Sequence, residues 1–159
     1  MHIAIQSGAP QSVLEMLVKA APDVISLTDK FGRTCLHLAV GDAKTVDKMI
    51  VTTDSNTLGK KYQDKNPVTT VEVIELLHSL DPKQIKTPEK VCQNLPLHTA
   101  CQGGCSVNAV KVLVQTYPAA IHIKNKDGMR PLEVARTFGN CSDDVIYLLE
   151  LSEEADVDV

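Results

Sequence analysis

His98, Cys101 and Cys105 fall at i, i+3 and i+7, so they share one stripe of a helix, the arrangement a metal site or a thiol redox centre would use. A structural zinc would need a fourth ligand at tetrahedral geometry, and no fourth donor recurs at a suitable spacing. The chain has five cysteines, an odd number, with no Cys-x-x-Cys pair. That usage fits reduced thiols packed as small hydrophobes better than a disulfide framework. His37 and His98 are each set in a Leu-His dipeptide, but no nucleophile or carboxylate recurs beside them to complete an acid–base constellation. Gln102-Gly103-Gly104 is too short to cradle a phosphate. The expectation is therefore no catalytic residue, no metal and no cofactor.

Charge and composition narrow the class further. With 16 Lys and Arg against 20 Asp and Glu, the chain carries a net charge of −4, which opposes a nucleic-acid surface. No apolar run approaches the roughly 18 residues of a membrane span, and no basic-then-apolar leader opens the chain, so the expected setting is intracellular, in the cytoplasm. There is no Trp, with only 3 Tyr and 2 Phe, and this predicts a core of Leu, Ile, Val, Ala, Met and Cys. Aliphatic cores of that kind suit closely packed helices.

The elements that hold these residues repeat. Val13–Pro22, Val73–Pro82 and Ala109–Pro118 follow one ten-residue pattern of apolar positions closed by proline. Cys35-Leu36-His37-Leu38-Ala39 and Pro96-Leu97-His98-Thr99-Ala100 form a second echo, with fainter copies at Met1–Ala4 and Pro131–Ala135. His2 to His37 and His98 to Glu133 are both 35 residues, whereas His37 to His98 is 61, so one unit has gained about 26. The surplus falls between Ala39 and about Thr70, where 54–67 has loop composition. Leu14, Leu17 and Val18 mark one helical face, and Leu17, Leu77, Leu113 and Leu148 are expected to share an inward slot. Gly8, Gly104 and Gly139 occupy a helix-ending slot that Ala43 fills in the expanded unit. Pro22, Pro82 and Pro118 are expected to stop each second helix. Cys105 and Cys141 fall in equivalent turns of adjacent units, which normally sit too far apart for a disulfide.

Asp29-Lys30-Phe31-Gly32-Arg33-Thr34-Cys35-Leu36-His37-Leu38-Ala39 resembles the ankyrin repeat, whose consensus runs Asp-x-x-Gly-x-Thr-Pro-Leu-His-x-Ala over about 33 residues. Asn125–Ala135 is a second copy, with Arg130 at the Thr position and Glu133 at the His position, and Leu95–Ala100 a third, preceded by Gln93 where glycine would stand. Thr34 is expected to cap its helix, Pro96 and Pro131 to open theirs, and His37 and His98 to hydrogen-bond within the motif.

The expected architecture is an all-α solenoid of about four ankyrin-like repeats in one domain spanning 1–159. The units run about 1–33, 34–93 with an insertion near 41–70, 94–129 and 130–152, with 153–159 an acidic tail. The resemblance implies a non-catalytic module binding another protein through a concave surface and its turn tips. Contact positions would be Lys30, Phe31, Arg33, Lys90, Gln93, Lys126, Asp127, Met129 and Arg130, with Phe31 and Met129 as apolar anchors. Two basic clusters, Lys60, Lys61, Lys65 and Lys83, Lys86, Lys90, suit docking of an acidic partner. Two alternatives stand beside this reading. One is a regulatory or targeting domain from a larger enzyme or channel, since Met1 falls inside a repeat. The other is a thiol-based metal or redox site.

Overall fold

The structure, a computed structural model, describes residues 1–7, 9–41 and 70–155, and all regular elements among them are helical. Four short helices, α1 (His2–Gln6), α3 (Cys35–Gly41), α5 (Pro96–Gly103) and α7 (Pro131–Phe138), alternate with longer ones. The longer set is α2 (Gln11–Ala20), α4 (Thr70–Leu80), α6 (Val107–Thr116) and α8 (Asp143–Ala155). The short helices pack in succession α1–α3–α5–α7 as an inner row, and α4, α6 and α8 pack in succession as an outer row. From α3 onward each inner helix also packs on the outer helix that follows it. One continuous aliphatic core results, as nearest-neighbour stacking of repeats requires.

The inner helices are short because their ends are fixed by residue type. Pro96 and Pro131 occupy first-turn positions, where the missing N–H costs nothing. Gly104 and Gly139 end α5 and α7 in the left-handed conformation, at φ 72° and 61°. Thr34 caps α3 as expected, its hydroxyl accepting the His37 N–H at 3.4 Å.

Three expectations change. Pro22 and Pro118 do more than stop the outer helices: each opens a 3₁₀ turn, Pro22–Ile25 and Pro118–His122, and Pro82 precedes a third, Gln84–Lys86. In α8 the fully inward residues are Val145 and Leu149, with Leu148 only partly buried. Leu17, at 36 % exposed, is also not inward, because α2 packs chiefly against its own 3₁₀ turn. Finally, α8 runs to Ala155, so Glu153 and Glu154 are helical rather than tail. Of the insertion expected near 41–70, residues 42–69, with Ala43, Lys60, Lys61 and Lys65, lie outside the described residues, as do Gly8 and 156–159.

The buried polar side chains are the joints of the stack. Gln84 accepts the Leu36 N–H at 2.9 Å and donates to the Ile25 carbonyl at 3.3 Å, tying two 3₁₀ turns and α3 together. Ring Nε2 atoms reach forward one unit each time: His2 to the Arg33 carbonyl (3.3 Å), His37 to that of Asn94 (2.9 Å), His98 to that of Met129 (3.2 Å). In His37 and His98 the other nitrogen, Nδ1, accepts a backbone N–H three residues upstream, from Thr34 and Leu95. A carbonyl can only accept, so both rings are the neutral Nε2–H tautomer. Glu133 performs the upstream half of this task, accepting the Arg130 N–H at 2.6 Å.

Candidate recognition groove

Between the 3₁₀ turns and the next inner helix the chain makes three projecting fingers, at 26–34, 87–95 and 123–130. Each is stiffened from its base by one side chain that accepts turn N–H groups. Asp29 takes those of Phe31 and Arg33, each at 2.9 Å. Asn125 takes those of Asp127 (3.0 Å) and Met129 (2.9 Å). Glu89 takes those of Val91 and Cys92, each at 2.6 Å, and of Asn94 at 3.2 Å. Counted from the accepting side chain to the Leu of the next helix (Leu36, Leu97 or Leu132), the middle finger has one more residue than the other two, and the longer Glu spans it. Burial alone would raise the Asp29 carboxyl, but the N–H groups of Arg33 and Phe31 and the Arg33 guanidinium hold it below its ordinary range.

Every finger turns through a left-handed residue: Gly32 (φ 79°), Gln93 (φ 57°) and Gly128 (φ 77°). Gln93 thus takes the glycine role despite its Cβ, at a cost of roughly 1 kcal/mol or more. Gln93→Gly is expected to raise the unfolding free energy by about 0.5–1 kcal/mol in urea titration, after the greater flexibility of unfolded glycine is subtracted. A loss of stability would show that the Gln93 side chain makes a compensating contact.

The fingers are joined in a row. The Lys90 N–H donates to the Phe31 carbonyl (2.9 Å), the Lys126 N–H to that of Cys92 (2.8 Å), and Asn125 Nδ2 to Asn94 Oδ1 (2.9 Å). Between this row and the inner helices lies an open groove of about 510 Å³. Its finger wall carries Phe31, Arg33, Val91 and Cys92, and its floor is Leu38, Gly41, Thr99, Gln102 and Gly103. Phe138 and Asn140 close one end. At the floor α3 and α5 meet through glycine: a Cβ on Gly103 would stand 2.5 Å from the Gly41 carbonyl oxygen. Phe31, Val91 and Phe138 are large exposed apolar side chains, and Phe31 lies under two cations, Lys30 Nζ at 4.8 Å and the Arg33 guanidinium at 5.2 Å from the ring centre.

Of the residues expected to make contacts, Phe31 and Arg33 line the groove, although Arg33 is also ion-paired to Asp29 at 2.7 Å. Lys30, Lys90, Gln93, Lys126 and Asp127 are exposed on the finger row. Two face elsewhere. Met129 packs partly buried against the core, and Arg130 reaches across to Glu153 of α8 at 4.0 Å. Sequence reasoning missed Val91, Cys92, Phe138 and Asn140. The extra residue of the middle finger hid Val91, whereas Phe138 could have been found as the last helical residue before the left-handed Gly139.

The His98, Cys101 and Cys105 stripe does not converge. Both ring nitrogens of His98 are held by backbone groups, and Cys101 instead meets Cys141, whose Sγ–H donates to the Cys101 carbonyl at 2.9 Å. The contact with Cys141, followed by burial, pushes the Cys101 thiol well above its ordinary value, and burial pushes that of Cys35 up to about 11. No disulfide joins any of the five cysteines, and among the described residues no three His, Cys, Asp or Glu side chains are grouped to hold a metal ion. No described helix is long and apolar enough to cross a membrane.

Comparison with curated proteins gives no match. A family model for ankyrin repeats, in three copies, matches residues 65–159. With the repeating helix pairs, the finger row and the histidine joints, that match places the chain in the ankyrin repeat family, whose members are generally protein–protein interaction modules and typically not enzymes.

Proposed function

We propose that this chain is a non-catalytic, single-domain recognition module that holds a segment of another protein in the groove between its fingers and its inner helices. One observation carries the reading: Phe31, Val91 and Phe138 are left exposed around a groove whose walls are otherwise rigidly hydrogen-bonded. Side chains of that size at a pre-organised surface lower the entropic cost of binding, and aromatic anchors carry much of the energy of an interface. The exposed finger residues Lys30, Lys90, Gln93, Lys126 and Asp127 form the polar rim, with Phe31 and Arg33 inside it. Met129 and Arg130 act mainly in holding α7. A cytoplasmic setting is consistent with five unbridged thiols.

The test compares three proteins as bait in native extract: the unmodified chain, a groove variant Phe31→Ser/Val91→Ser, and an outer-helix control Met16→Ser/Tyr147→Ser. Both variants replace exposed residues, so each should keep its thermal midpoint within a few degrees of the parent. Partners retained by the control and lost by the groove variant are the expected outcome. Partners lost only by the control would move recognition to the outer helices.

A further inference from the structure

Charge is not spread evenly over this molecule. The three fingers carry six cations, Lys30, Arg33, Lys90, Lys124, Lys126 and Arg130, against three carboxylates, Asp29, Glu89 and Asp127. The remaining described residues carry 5 Lys and Arg against 11 Asp and Glu. Among the described residues the fingers therefore form a cationic edge, net +3, against −6 on the rest. The exposed surface keeps that balance: Glu89 is buried, Arg33 pairs with Asp29 and Arg130 turns to Glu153, which leaves Lys30, Lys90, Lys124 and Lys126 exposed against Asp127.

We infer that the groove selects an acidic, extended segment of its protein partner, with one apolar side chain seated between Phe31, Val91 and Phe138 and flanking carboxylates facing Lys30, Lys90 and Lys126. This rests on the proposed function above and specifies the partner's chemistry. Lys90 and Lys126 sit on adjacent, hydrogen-bonded fingers, so carboxylates at intervals along one strand-like segment meet a cation at each step. The acidic body repels the same segment elsewhere and so steers it to this edge. A protein strand fits better than a nucleic acid. The groove offers two aromatic rings rather than the stacking ladder that holds successive bases of a single strand.

The experiment selects random short peptides displayed on phage against the intact chain, then measures synthetic versions by fluorescence anisotropy. The measurements use the parent protein, Lys90→Glu/Lys126→Glu and Phe31→Ser/Val91→Ser, with oligothymidylate as competitor. The expected result is enrichment of Asp and Glu around one aliphatic or aromatic residue. Affinity should fall about tenfold or more when both charges are reversed, since attraction becomes repulsion, and should weaken with salt as exposed charge pairs do. Neutral or basic peptides that still depend on Phe31 and Val91 would overturn the acidic preference while leaving groove recognition standing. Oligothymidylate binding that competes equally well would overturn it in favour of a nucleic acid. Selected peptides indifferent to both variants would overturn the groove itself.

Discussion

Leu113→Ala should lower the unfolding free energy by roughly 2–5 kcal/mol, the range for truncating a leucine in a core that cannot collapse. Leu113 is 1 % exposed on α6, which packs against α4 before it, α8 after it and α5 within its own unit. The cavity therefore weakens three interfaces at once, and in a stack stabilised by nearest neighbours each interface supports the next. Leu17→Ala at the same register of α2 is the informative control, because Leu17 is 36 % exposed and α2 lacks comparable packing against α4. Its loss should stay near or below about 1 kcal/mol. Urea titration of both variants checks the pair, and equal losses would contradict the outer-row packing.

The histidine joints give the second large effect. Removing the ring in His98→Ala should cost roughly 2–4 kcal/mol, combining a cavity with the buried Leu95 N–H left unpaired and the Met129 carbonyl reduced to its bond from the Asn125 N–H. The same geometry makes stability depend on pH. Burial, which penalises the charged ring, lowers the pKa of both His37 and His98 from the ordinary 6.5, and each Nδ1 accepts an N–H at the point a second proton would occupy. The unfolded chain therefore binds these protons more readily than the folded one. Their contribution is fully present above about pH 6.5 and is lost as the pH falls below it toward the lowered folded values. The slope can reach about 1.4 kcal/mol per pH unit for each ring. Urea midpoints should thus fall from neutral to mildly acidic pH, and His98→Gln should show about half that slope. A flat profile through this interval would mean that the rings are not buried in the neutral form.

What the sequence made legible was what each repeat decides locally. The common slot of His2, His37, His98 and Glu133, the stops at Gly104 and Gly139 and the turn position of Gln93 follow from residue type and interval, and the left-handed φ of Gln93 bears out the alignment with Gly32 and Gly128. Contacts between units were not legible. Gln84 reads as an ordinary polar loop residue until two 3₁₀ turns and α3 close around it. The placing of Leu149 rather than Leu148 inward depends on how α8 lies against α6, which spacing within α8 alone does not determine. The candidate site divides in the same way. Phe31 and Arg33 were visible as finger residues, but the groove exists only where Val91 of one finger, the Gly41–Gly103 contact and Phe138 of a later helix face one space. Arg130 shows the converse, since a residue at an exposed turn position is drawn to a carboxylate from a distant helix.

Recognition within the groove can be read out by site-specific photocrosslinking. A photoreactive phenylalanine analogue placed at Val91, on the finger wall, or at Tyr147, on outer helix α8, replaces an exposed side chain in either case. Irradiation in native extract is expected to join a discrete protein to the Val91 position, through an acidic stretch of its sequence, and to leave the Tyr147 position without that product. The same adduct forming at Tyr147 and not at Val91 would place the partner on the outer helices and overturn recognition in the groove.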